Sequence, residues 1–229
     1  MAEVPEAIRQ SLAALPPSLL ARSGSVFYSG KEAFSEHRDL YVAGLNPGGD
    51  PVRQRNETIE KHIGDFWKRT APWSEYVDVS WEGAQPGAWG MQPQMRHMLH
   101  ILGRDPRLTP SSNAIFVRST NEGSLGSERD LLLQACWPVH QAVLDSLRVR
   151  VVVCLGKTAG ALFRKKMDAH NPLDEIRERN ARGWASTAHQ APDGRIVISV
   201  THPSRASWIN PASDPSPLVA EMLNMARPR

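Results

Sequence analysis

Cysteine is scarce in this chain. Cys136 and Cys154 are the only two in 229 residues. That is too few to staple a secreted domain or to hold an iron–sulfur cluster, which needs four thiolates. Both sit in apolar runs and read as buried thiols. Long hydrophobic runs are missing too. No stretch approaches the roughly 20 apolar residues of a membrane span. The N-terminal Met1-Ala2-Glu3-Val4-Pro5-Glu6 carries acid where a secretory signal carries base, and no apolar segment follows it. The expected location is therefore cytoplasmic. Neither sign of charge dominates: the net charge is +3, although the pI is about 9.1. Such a balance permits a nucleic-acid partner without requiring one.

Several catalytic signatures are also absent. Gly156-Lys157-Thr158 has the tail of a phosphate-binding loop, but Val151 stands where its upstream glycine belongs. There is no G-x-G-x-x-G, no G-x-S-x-G and no H-E-x-x-H. His62, His97, His100, His140, His170 and His189 lack neighbours at metal-ligand spacing and read as surface or satisfied core residues. No metal and no cofactor is expected.

What the chain does have is an ordinary globular composition, 41% apolar and 22% charged, with 18 prolines and 16 glycines marking many loops. Residues 5–22 predict two short helices parted by Pro16-Pro17, and residues 25–28 a short edge strand. Residues 40–45 form a continuous apolar strand of the kind covered on both faces. A helix is expected over 52–69, then a long Trp-rich loop over 70–92 and a helix over 94–102 ended by Gly103. The loop's Trp73, Trp81 and Trp89 suit either base stacking or anchoring to a core. Residues 113–119 read as a second strand. Ser127 reads as the N-cap of a helix over 128–148. A buried strand over 151–155 turns through Gly156 into a helix over 159–167. Residues 171–182 read as a polar surface turn of helix, 184–189 and 195–200 as a hairpin, and 217–226 as a closing helix. The alternation predicts one α/β domain over residues 1–229, a three-layer α/β/α arrangement with a mostly parallel sheet of about four strands.

Two loops stand out at predicted strand ends: Gly44-Leu45-Asn46-Pro47-Gly48 and His202-Pro203-Ser204-Arg205. Loops at the carboxyl ends of such strands are where open α/β sheets bind ligands. In this order and pairing they resemble the two signature motifs of the uracil-DNA glycosylase superfamily, most nearly its single-strand-selective and mismatch-specific branches. The resemblance spans roughly residues 38–223, and only the two loops are specific. It implies a glycosylase-like fold and a monofunctional hydrolase that removes a flipped uracil, or a related deaminated base such as hypoxanthine, from DNA in base excision repair. Asn46 would position the attacking water and His202 would donate to the leaving base. Leu45, Phe66 (or Trp67) and Asn121 would contact the base, with Ser119 or Arg118 as alternatives to Asn121. Pro47, Gly48, Lys157, Ser204, Arg205 and Trp208 would meet the DNA, with Arg205 or Trp208 filling the gap in the stack. A monomer partnered by DNA is expected. Two other readings remain: a catalytically inactive DNA- or nucleotide-binding protein on the same fold, and an unrelated hydrolase using His202 and Ser204.

Overall fold

A computed structural model of the chain describes residues 3–226; Met1 and Ala2, which open the N-terminal stretch read above, lie outside it. The order of elements is α1 (Glu6–Ala13), α2 (Pro17–Leu20), β1 (Leu40–Gly44), α3 (Ile59–Lys68), α4 (Gln92–Ile101), β2 (Ser111–Asn113), α5 (Arg129–Ser146), β3 (Val151–Leu155), α6 (Lys157–Met167), β4 (Asn171–Arg177), β5 (Ala185–Gln190), β6 (Ile196–Val200) and α7 (Ser216–Met225). One six-stranded sheet runs β2-β1-β3-β6-β5-β4. Its first four strands are parallel, and β5 and β4 extend it as an antiparallel hairpin.

Two apolar layers enclose the sheet, which is why β1, β3 and β6 are buried along their whole length. Tyr41, Ala43, Val152, Cys154 and Val197 face a core shared with α1, α3, α5 and α6. Leu40, Val42, Val153, Ile196, Ile198 and Val200 face the opposite core under α4 and α7. The chain is thus α/β with a mostly parallel sheet and helices on both faces. No helix among the described residues is long and apolar enough to cross a membrane.

Four sequence expectations need correction. The segment read as a strand over 113–119 pairs regularly only at 111–113. Ala114 and Ile115 N–H still donate to Gly44 O and Leu45 O, and then the backbone turns to other partners: Phe116 N–H meets Cys136 Sγ, and Phe116 O accepts from Ser25 N–H. The helix expected from residue 52 begins at Ile59, capped by the Thr58 hydroxyl, after a run of turns. Ser127 caps nothing, because it lies within a 3₁₀ stretch over Glu122–Glu128 that runs into α5. Residues 171–177, read as helical, are the edge strand β4, and the sheet has six strands rather than four.

The strand order fixes where a ligand can sit. From β1 the chain passes to β2 on one side and later to β3 on the other, so the order reverses between β1 and β3. The crevice beyond the carboxyl ends of those two strands is the expected binding place of an open α/β sheet.

Candidate functional site

Asn46 lies two residues past the end of β1 and His202 two past the end of β6. The pairing of Leu40 with Val151 and of Val151 with Ile196 sets the three strands in step. The loops that carry Asn46 and His202 therefore leave the same edge of the sheet, with the first turn of α6 after the strand between them. Two strand spacings separate them, about 10 Å at the usual geometry.

The His202 ring leans inward across that gap. An added Cβ on Gly156, at the end of β3, would meet its Cδ2 at 3.4 Å, so the imidazole lies over β3. Gly156 has φ of 99°, a conformation that favours glycine. A second side chain does the same at β1. An added Cβ on Gly44 would come within 2.2 Å of Asn113 Oδ1, so the carboxamide of Asn113 rests on that glycine. Asn113 is only 5% exposed, and its Nδ2 has no hydrogen-bond partner among the described residues. Tyr28 stands beside it; burial raises the Tyr28 hydroxyl's pKa, with Asn113 and Ser25 opposing that rise. Glycines at the ends of adjacent strands therefore carry one carboxamide and one imidazole.

Asn46 is fixed by its nitrogen. Nδ2 donates to Ser119 Oγ (2.8 Å), Pro47 O (3.0 Å) and Val117 O (3.2 Å). That spends both amide hydrogens and leaves Oδ1 as a free acceptor among the described residues. The loop is braced from behind. Ser119 N–H donates to Pro47 O, and Arg118 reaches Gly48 O, Ser23 Oγ and Glu57 with its three guanidinium nitrogens.

His202 is fixed by its other nitrogen. Nδ1 accepts from the backbone N–H of Ser204 (3.2 Å) and lies 2.8 Å from its Oγ. With Nδ1 accepting, the neutral ring carries its hydrogen on Nε2. Burial, aided by Arg205, lowers the pKa below the ordinary imidazole range and so favours that neutral form. Trp208 Nε1 donates to Thr201 O and locks the strand end just before the loop.

The remaining expected site residues divide. Lys157 and Arg205 are exposed at the crevice, as is Gly48, while Pro47 is buried under the loop. Trp208 is fully buried and cannot enter a base stack; of the two wedge candidates only Arg205 is available. Ser204 has both its N–H and its hydroxyl engaged with His202, so it is not a free phosphate donor. Phe66 is buried against Phe27, Phe34 and Trp67 in the α1-side core and has no face open to a base, and Trp67 packs there too. Leu45 also packs on that side, so its side chain points away from the crevice. Asn121 is exposed and its Oδ1 caps Ser124 N–H, a turn role. Of its alternatives, Ser119 touches Asn46 directly and Arg118 braces the loop.

Asn113 is the residue that the sequence reading missed. It was legible only as the opening residue of a strand, and it becomes the last residue of one when the pairing stops early. The long loop over 70–92 is ordered through Gln92, whose Nε2 donates to Glu75 O and Val79 O. Trp81 Nε1 bonds Glu75, and Arg69 covers Trp73 at 3.6 Å, so these two aromatics anchor the loop, whereas Trp89 is half exposed. Two clefts elsewhere, of about 310 and 490 Å³, are lined by none of Asn46, Asn113 and His202. No protein-family model matches the sequence, and no curated protein matches it either.

Proposed function

We propose that this chain is a monofunctional DNA glycosylase of the uracil-DNA glycosylase type, hydrolysing the bond between a flipped deaminated base and its sugar. One observation carries the reading. The loops that carry Asn46 and His202 leave the same carboxyl edge of the parallel strands, where the strand order reverses, and each side chain is tied down by one polar atom and leaves the complementary one free.

That division suits the chemistry. Breaking a base–sugar bond gives a sugar with oxocarbenium character and a base that leaves as an anion. Asn46 Oδ1, a free acceptor, orients the attacking water toward the anomeric carbon; an amide is too weak a base to deprotonate it. His202 Nε2–H donates to the carbonyl oxygen of the departing base as charge grows there. A fixed donor at such an oxygen is worth about 10²–10³ in rate. Asn113 offers an unspent amide donor beside them for the edge of the base, which replaces Asn121 in this role. Extrusion of the base costs least at mismatched or unpaired sites, which would help selection. The proposal places the protein on DNA in base excision repair.

Release of base from oligonucleotides carrying uracil, hypoxanthine, xanthine or mismatched thymine, read by alkaline cleavage at abasic sites, tests this. Asn46→Ala and His202→Ala are each expected to lower the rate at least a hundredfold with the far-UV spectrum unchanged. Wild-type protein that forms no abasic product on any of these substrates rejects the proposal. The 2.8 Å contact of Ser204 Oγ with His202 Nδ1 favours a second reading as a serine hydrolase dyad. No carboxylate orients the other ring nitrogen among the described residues, and labelling of Ser204 by a serine-directed phosphonate would decide for it.

A further inference from the structure

The hairpin β4–β5 is not needed to build the crevice, yet its turn reaches the same edge of the sheet. β4 is antiparallel to β5 and β5 to β6, so the turn over 178–184 lies beyond the carboxyl ends of the parallel strands. Pairing of Thr187 with Ser199, carried three residues further, sets Trp184 level with His202. The turn that carries Trp184 thus stands beside the His202 loop, to which Arg182 binds it at Arg205 O.

The turn is built to hold an aromatic in the open. Glu178 N–H donates to Trp184 O (2.8 Å), Asn180 Oδ1 accepts from Arg182 N–H (2.9 Å), and Gly183 adopts φ of 57° to close the loop. The Arg182 guanidinium covers one face of the Trp184 indole at 4.6 Å, while the residue stays 39% exposed. Arg182 also pairs with the buried Glu178 at 2.9 Å and donates to Arg205 O, which ties the turn to the His202 loop. Arg179 is bound to Pro211 O and Ala212 O. The indole thus stands partly open under Arg182, on a turn that also carries Arg179 and is tied to the backbone of Arg205.

We propose that this turn is a second nucleic-acid contact that grips unpaired strand, with Trp184 stacking on an unpaired base and Arg179, Arg182 and Arg205 meeting the phosphates beside it. An indole face can accept a base only where the base has no partner above it. A stacked base is worth about 1–3 kcal/mol, or roughly 5- to 150-fold in affinity. The proposal rests on the glycosylase reading only in taking this edge to face nucleic acid.

The test is fluorescence anisotropy with a labelled single-stranded oligonucleotide lacking any damaged base, and with the matching duplex, so that no chemistry intervenes. Trp184→Ala is expected to weaken single-strand binding about tenfold and duplex binding less than twofold. Trp184→Phe is expected to keep most of the affinity, and the thermal midpoints of both variants should match wild type. Unchanged single-strand affinity in Trp184→Ala, or equal losses on both substrates, overturns the proposal. Absence of base release from every substrate, with Trp184-dependent binding retained, would reject the catalytic reading and leave this one standing.

Discussion

At Gly44 a single hydrogen decides whether Asn113 can lie where it does. A methyl there would come within 2.2 Å of Asn113 Oδ1. Gly44→Ala is expected to displace that carboxamide and lower kcat/KM for base release by about 10- to 100-fold, the size of one lost buried hydrogen bond. Asn113→Ala should narrow the difference in rate between uracil and hypoxanthine substrates while some release survives. Oligonucleotide cleavage assays on both variants measure this, and equal selectivity before and after would remove Asn113 from the site. Asn46 and His202 were readable in the sequence because each opens a Pro-marked loop after an apolar run. Asn113 was not, since nothing local says that its strand ends three residues after it starts. Trp208, a candidate wedge whose other reading was plain packing of the C-terminal loop, is fully buried, and only tertiary packing decides between the two.

Among the elements, those buried on both faces were the legible ones. Residues 40–44, 151–155 and 196–200 are buried throughout and apolar but for Ser199, because helices cover them on either side, and that signal needs no context. The edge strand β4 was missed because its exposed residues carry no apolar alternation, and its partner β5 alone determines its shape. The seam between α6 and β6 shows how tightly these layers fit. An added Cβ on Gly160 would fall 1.8 Å from Ser199 Oγ and 2.6 Å from its Cβ. Gly160→Ala is therefore expected to destabilise the fold by about 1–3 kcal/mol through overpacking, visible as a lower midpoint in urea. An unchanged midpoint would mean that the helix can shift away from the strand at no cost.

For the whole molecule, acid is the predicted weakness. His140 is fully buried, sharing Nδ1 with the Tyr41 hydroxyl at 2.9 Å and Nε2 with Ala114 O at 3.2 Å. Burial lowers its pKa to about 4 from the ordinary 6.5. The unfolded chain then binds a proton that the folded chain refuses, so this contribution is complete above pH 6.5 and is lost as pH falls toward 4. The loss is on the order of 3 kcal/mol. Urea midpoints taken between pH 7 and 4.5 should fall, and His140→Gln, though less stable at neutral pH, should show a shallower slope. A flat profile in the unaltered protein would contradict the assignment. The margins of the sheet have a consequence of their own. Residues 24–28 bond along the outer side of 111–117, and at the far margin β4 presents Pro172, a slipped register before Asp174, and exposed Asp174, Glu175 and Arg177. Neither border offers an unbroken ladder of amides to a passing chain, so the concentrated protein should resist templated fibril growth.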